Sequence, residues 1–232
     1  MGTMVVTGAS TGVGRAVARS FAGRGYDVYA LGRSKDKLDA LAGEWNGKVR
    51  ACPCDVTDKT AVGATFEAIL AEAGGIDVLV NNAGVVAGGG PVDFDLIDRV
   101  IDTNLKGTMY CTYAVLPSMK EHGSGHIFNV ASISGVDISP DGNNGLYAAS
   151  KFGQVAFGES VGKMVRRDGI LVTNVCPGGI DTPLWNDAHP YPFDKNEMIR
   201  PEEVADLIEY VLKQPKRTLF KNVVFVPVVE QW

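Results

Sequence analysis

The sequence predicts an α/β protein, a single doubly wound domain built around a seven-stranded parallel sheet. Three observations lead there. Short apolar runs of strand length alternate with longer segments of helical periodicity along the chain. The strand-like runs are largely apolar, as in strands covered on both faces by helices. A glycine cluster, TGASTGVG at 7–14, falls between the first strand and the first helix, where the chain must turn tightly.

The elements follow in order. TMVV (3–6) is the first strand, and VGRAVARSFAGRG after the glycine cluster reads as a helix ending on glycine. DVYALG (27–32) and SKDKLDALAGEW (34–45) are the second strand and helix. KVRACPCD (48–55) and TDKTAVGATFEAILAEAGG (57–75) repeat the unit. IDVLVNN (76–82) is the fourth strand, and helical pattern then runs over 93–121. HIFNVAS (126–132) is the fifth strand, a helix occupies 146–167, and ILVTNVCP (170–177) is the sixth strand. Pro201 opens a short helix, PEEVADLIEYVL, and NVVFVPV (222–228) is the seventh strand. No internal repeat, low-complexity linker or shift of composition divides the chain, so one domain over 1–232 is expected.

Hydrophobic residues make up 45% of the 232 positions and charged residues 21%, enough apolar material for a sizeable core. The formal net charge is -5 and the pI about 5.2. With no basic run or basic stripe, that balance argues against nucleic acid or an anionic membrane as partner. The apolar runs fall well short of the ~20 residues a membrane-crossing helix needs. The chain opens on a strand-like MVV without a charged-then-apolar leader, so a cytoplasmic protein is expected. One residue separates Cys52 from Cys54, and Cys111 and Cys176 stand apart, which suits neither a zinc knuckle nor a redox pair; buried, reduced thiols are expected. No metal site is expected either. His122 and His126 have helical spacing but are interrupted by Gly123 and Gly125, His189 lies in a proline-rich loop, and Asp93 and Asp95 read as first-turn helix charges.

In a doubly wound sheet, ligands bind beyond the carboxyl ends of the strands. The residues there are Gly8, Gly32, Arg33, Asp55, positions 81–84, Ser132 and positions 177–182. Bare glycines at 8, 12 and 14 would let a pyrophosphate approach the backbone, where free N–H groups and the helix dipole stabilise its charge. A tight strand-to-helix turn would explain the same glycines.

Other motifs accompany the loop. TGASTGVG, NNAG (81–84), Asn104 in DTNLKG, Ser132, YAASK (147–151) and PGGIDT (177–182) occur in order, and together they resemble the short-chain dehydrogenase/reductase family. The resemblance spans the first strand to the seventh and implies a Rossmann fold, a nicotinamide cofactor and a carbonyl–alcohol reaction. It implies cofactor contacts at Gly8, Ser10, Thr11, Gly12, Val13, Gly14, Arg33, Asp55, Val56, Asn82, Ala83, Gly84, Tyr147, Lys151, Pro177, Gly178, Ile180 and Thr182. It also implies a substrate lid over 181–200 and a homodimer or homotetramer. Gly153, Gly158 and Gly162 would permit close packing of the 146–167 helix in such an assembly.

Tyr147 and Lys151 are four apart and share one helix face. A tyrosine near pKa ~10 is a poor acid–base group at neutral pH, and lowering it by ~3 units takes about 4 kcal/mol. One ammonium at ~4 Å supplies about that at an effective dielectric near ~20, so Lys151 is expected to lower the Tyr147 pKa. The resemblance assigns Tyr147 as the group that protonates the developing alkoxide, Ser132 as a hydrogen-bond donor to the same oxygen, and Lys151 as the holder of the nicotinamide ribose. It gives Asn104 a water that relays protons to Lys151; a polar helix residue bound to backbone is the alternative. Between Ser132 and Ser134, strand register favours Ser132 at the end of GHIFNVAS, the loop VDISPDGNNG accounting for the spacing to Tyr147. Leu184, Trp185, Tyr191 and Phe193 either line an apolar pocket with Val136 and Ile138 or anchor the lid to the body.

Cofactor choice turns on the end of the second strand. Gly32 stands where an NAD enzyme places an acid, and Arg33, aided by Lys35 or Lys37, can pair with a 2′-phosphate. NADP(H) is expected over NAD(H), although Thr11 stands where many NADP enzymes of the family carry a basic residue. By resemblance, Asp55 binds the adenine ring. The expected reaction is hydride transfer between NADP(H) and a small, largely apolar ketone, aldehyde or secondary alcohol. The alternative is a 3-oxoacyl-[acyl-carrier-protein] reductase, which by resemblance carries basic residues near the site entrance, just before the fifth and sixth strands. Here those places read HGSGH (122–126), with Lys120 nearby, and RRDGI (166–170). A cofactor-sensing regulator without activity would not need Ser132, Tyr147 and Lys151 together.

Overall fold

A computed structural model describes residues 2–86, 92–138, 145–186 and 190–230. Its strands are β1 (Thr3–Val6), β2 (Asp27–Gly32), β3 (Val49–Pro53), β4 (Val78–Asn81), β5 (Gly125–Val130), β6 (Ile170–Pro177) and β7 (Asn222–Phe225). All neighbours pair in parallel, in the order β3-β2-β1-β4-β5-β6-β7. The chain builds outward from β1 to β3, then returns and builds the other way from β4. That reversal opens a crevice beyond the carboxyl ends of β1 and β4.

Helices α1 (Gly12–Gly23), α2 (Lys35–Gly43) and α7 (Pro201–Leu212) cover one face. Helices α3 (Lys59–Ala73), α5 (Gly107–His122) and α6 (Gly145–Val165) cover the other, with α4 (Phe94–Ile101) leading towards α5. Strand alternation divides the core between them. Met4 and Val6 join Val17, Phe21 and Ile208, whereas Val5 joins Phe66, Val115 and Val161.

Two departures from the sequence expectation bear on the site. The helical stretch over 93–121 is interrupted by a π turn, Asp102–Lys106, which sets Asn104 off the regular spiral. Strand β5 ends at Val130, so Ser132 lies two residues beyond the strand. Its hydroxyl accepts from the Ser134 N–H at 3.1 Å and opens a short 3-10 turn, Ile133–Gly135.

The α6 glycines pack closely against their own chain. A Cβ on Gly153 would meet Leu105 at 3.0 Å, one on Gly162 would meet Val172 at 3.3 Å, and one on Gly158 would collide with Asn174 and Asn129. Beneath Gly158 runs a row of asparagines. Asn81, Asn129, Asn174 and Asn222 are register partners on β4, β5, β6 and β7. Each side-chain amide donates to the next, at 3.0, 3.0 and 2.9 Å, and Asn222 donates to Glu159 at 2.8 Å.

The two described histidines and the cysteines occupy structural positions. His122 contacts the Ser118 carbonyl at 2.7 Å, and His126 contacts the Thr173 hydroxyl at 2.9 Å while stacking on Phe128. Burial pushes the His126 pKa down to about 4. His189 and most of the loop after Ile138 lie outside the described residues. Cys54, Cys111 and Cys176 are buried and Cys52 is half-buried, all as free thiols. Asp93 caps α4, accepting from the Leu96 N–H at 2.7 Å.

Candidate active site

The glycine loop is shaped first by the protein. The Thr7 hydroxyl accepts from the N–H groups of Asn82 and Ala83, each at 2.9 Å. The Asn82 side chain donates back to the carbonyls of Thr7 at 2.9 Å and Gly8 at 3.3 Å. A Cβ on Gly8 would lie 2.9 Å from the Ala83 Cα, and one on Gly14 would lie 2.5 Å from both Asn82 Nδ2 and the Gly8 carbonyl. Gly8 and Gly12 also hold φ of 65° and 53°, the left-handed region that favours glycine. The loop thus needs glycine because the NNAG segment is clamped against it. Thr11 is the N-cap of α1 and makes no side-chain cap, which leaves the first-turn N–H groups without that partner.

A cavity of about 1000 Å³ runs along the carboxyl edge of the sheet. Arg33, Ser34 and Lys37 line one end, and Ser132, Tyr147 and Lys151 the interior. Between them lie Gly8, Ser10, Thr11, Gly12, Val13, Asp55, Val56, Asn82, Ala83 and Gly84, with Pro177, Gly178, Ile180 and Thr182 opposite. Of the catalytic and cofactor candidates, two fall outside it: Gly14 packs beneath the loop, and Asn104 is buried behind the wall. Asp55 is fixed by accepting from the N–H and hydroxyl of Thr57, at 3.0 and 2.9 Å.

Of the apolar candidates, Leu184, Trp185, Tyr191 and Phe193 line the cavity. Val136 and Ile138 do not. Val136 packs on Ala131, Val155 and Cys176, and Ile138 is exposed. Tyr191 stacks edge-on with Trp185 and with Phe193. Its hydroxyl donates to Glu230 at 2.9 Å, and the Gly179 N–H donates to the same carboxylate oxygen at 2.8 Å. Burial and Glu230 together raise the Tyr191 pKa. Glu230 carries no motif, and sequence reasoning missed it.

Tyr147 and Lys151 do not relate as the charge argument expects. Burial pushes the Tyr147 pKa up to about 12, against the opposing effect of its hydrogen bond with Ser132. Burial also pushes Lys151 down to about 8. The Lys151 ammonium donates to the Val130 carbonyl and to Gln154 Oε1, both at 3.0 Å, and stands 5.6 Å from the Tyr147 ring centre. Desolvation therefore sets the direction of both shifts. Asn104 binds backbone: its side chain accepts from the Val85 N–H at 2.8 Å and donates to the Val85 carbonyl at 2.9 Å and to Ser150 at 3.0 Å.

The segments expected to meet a carrier protein lie elsewhere within one chain. Positions 122–126 and 166–170 lead into the amino ends of β5 and β6, opposite the cavity. Lys120 is paired there with Asp168 at 3.5 Å.

A parallel doubly wound sheet, a glycine turn at its switch point and a cavity ending on serine, tyrosine and lysine define a Rossmann-fold oxidoreductase. The short chain dehydrogenase family matches residues 2–191, and the chain belongs to that family. A Staphylococcus haemolyticus protein named as an uncharacterized oxidoreductase is 35% identical over 227 residues, covering 97% of this chain and 96% of that protein. A serine dehydrogenase solved with NADP+ superposes with a TM-score of 0.89 at 28% identity, covering 99% of this chain and 96% of that one. A variant of actinorhodin polyketide ketoreductase, solved with NADPH, gives 0.87 at 29% identity, covering 97% and 96%.

Proposed function

We propose that this protein transfers hydride between NADP(H) and a small, largely apolar ketone, aldehyde or secondary alcohol. The observation that carries the reading is the cavity itself, cationic at one end and lined at the other by Ser132, Tyr147, Lys151 and the Leu184, Trp185, Tyr191 and Phe193 cluster. The cofactor fits this lining. Positive-φ glycines bring bare backbone to the cavity, Arg33 and Lys37 supply charge for a 2′-phosphate, and solved relatives hold NADP+ or NADPH. The N–H groups at Gly12 and Val13 would hold the pyrophosphate, Asp55 and Val56 the adenine, and Lys151 with residues 177–182 the nicotinamide end. When bound, NADPH supplies the hydride.

The chain's own residues handle the proton. A Tyr147 pKa pushed up to about 12 keeps the phenol protonated at neutral pH, ready to donate to an alkoxide. Ser132, hydrogen-bonded to Tyr147, donates to the same developing oxygen. The Lys151 ammonium stabilises the tyrosinate left behind, and does so below about pH 8, where it remains charged. Four cysteines without bridges support a cytoplasmic setting. Exposed Phe94, Tyr113 and Phe152 support a homodimer or homotetramer, which light scattering tests.

The test is NADPH consumption over a panel of free ketones and aldehydes, set beside a carrier-bound 3-oxoacyl thioester at low salt. Turnover of free carbonyls at least as efficient as of the thioester is expected. A large, salt-sensitive advantage for the carrier-bound substrate replaces this reading with the carrier-protein reductase.

A further inference from the structure

Gln154 lies three residues after Lys151 on α6 and is fully buried. A buried amide must satisfy both of its ends, because each unmet group costs roughly 1–3 kcal/mol. Here both are met. Oε1 accepts from Lys151 Nζ at 3.0 Å, and Nε2 donates to the Thr108 hydroxyl at 2.9 Å. That hydroxyl donates onward to the Asn104 carbonyl at 2.9 Å. Asn104 bonds Ser150, and the Ser150 hydroxyl donates to the Tyr147 carbonyl at 2.7 Å. The lysine and the backbone of the tyrosine are therefore joined by a closed circuit through α5, the π turn and α6. No member from Lys151 to Ser150 is more than 3% exposed.

Lys151 needs such support. Its ammonium is buried against two neutral acceptors, the Val130 carbonyl and Gln154. Among the described residues, the titratable groups that face it are Tyr147 on its own helix and Cys176 on β6. Both are raised above their ordinary values by burial and are neutral at physiological pH. Among the described residues, dipoles alone hold the cation, and one of them belongs to Gln154.

We propose that Gln154 is a positioning residue for Lys151, holding the ammonium through its amide oxygen and bracing it through Thr108 against the Asn104 carbonyl. The proposal rests on the reading of Lys151 given above. A primary amide neither gains nor loses a proton near neutral pH, so it orients and polarises the ammonium without discharging it. Leucine at 154 would leave the cation one acceptor short. Glutamate would set a formal charge within hydrogen-bond reach of it.

The test compares wild type, Gln154→Leu, Gln154→Glu, Thr108→Val and Lys151→Ala. Two properties are followed across pH: NADPH-dependent reduction of trifluoroacetophenone, and NADPH affinity by fluorescence. In Gln154→Leu the alkaline limb of both profiles moves down by about one pH unit, and kcat falls about tenfold with little change in KM. In Gln154→Glu the same limb moves up by about one unit, and in Thr108→Val it moves down by less. General loosening of the core would not move one limb in opposite directions. Limbs within about 0.3 unit of wild type in both Gln154 variants overturn the proposal. If Gln154→Leu fails to fold, the glutamate and Thr108 variants decide it, and absence of both shifts overturns it. Wild-type turnover and pH profile in Lys151→Ala would instead overturn the role given to Lys151 itself.

Discussion

The side chain of Asn82 donates to the carbonyl of Thr7 at 2.9 Å, so the loop after β4 holds the loop after β1 in shape. Gly14 completes that clamp from below, where a Cβ would stand 2.5 Å from Asn82 Nδ2. We expect Gly14→Ala to be destabilised by about 1–3 kcal/mol through overpacking, and to bind NADPH several-fold more weakly. Denaturant melts and fluorescence titration check this; an alanine variant with wild-type values of both would show that the clamp is dispensable.

Tyr147→Phe should lose about 10²–10⁴-fold in turnover while binding NADPH almost normally, since only the proton donor is removed. Ser132→Ala should be much costlier in kcat than Ser134→Ala. The Ser132 hydroxyl bonds Tyr147, whereas Ser134 is engaged through its backbone N–H to Ser132. Steady-state kinetics of the three variants decides the ranking, and the reverse order would reassign the serine.

Arg33 lines the cavity beside Lys37, at the end of β2 where no acid stands. Loss of a charge-assisted contact worth about 1.5–3 kcal/mol predicts that Arg33→Ala weakens NADPH binding by one to two orders of magnitude. NADH affinity should barely change. Equal weakening for both cofactors would remove Arg33 from 2′-phosphate recognition.

His126 ties stability to acidity. Its folded-state pKa of about 4 lies below the ordinary 6.5, so the unfolded chain binds the extra proton first as pH falls. Stability is full above about pH 6.5 and is lost on acidification towards 4, by up to about 3 kcal/mol. Urea unfolding at pH 7 and pH 4.5 measures the loss, and His126→Gln should shrink it. An unchanged pH slope in that variant would place the acid sensitivity elsewhere.

Much of this was legible in the sequence because it is local. The apolar runs at 3–6, 27–32 and 170–177 are strands with those limits, and Pro201 opens α7 as its fixed φ allows. Most of the glycine loop, positions 82–84 and the Tyr147–Lys151 pair face one cavity. What depends on distant contacts was not legible. Glu230 reaches Gly179 and Tyr191 from far along the chain, and Gln154 gains its partners only when α5 and α6 pack. Electrostatics misled for a related reason. Spacing put Lys151 beside Tyr147, but only the fold buries the ammonium and turns it towards the Val130 carbonyl and Gln154.

The asparagine row has a consequence for how the sheet assembles. An apolar strand can slide along its neighbour and still find hydrophobic company, whereas an amide at one rung finds its mate in a single alignment. A slip of two residues between β5 and β6 keeps the same faces inward, yet strands Asn129 opposite Val172 or Cys176 and Asn174 opposite Ala131 or Ile127, at roughly 1–3 kcal/mol for each unmet group. The positions 81, 129, 174 and 222 thus work as index marks, letting four strands far apart in the chain reject a near-miss alignment of the sheet whose edge carries the cavity.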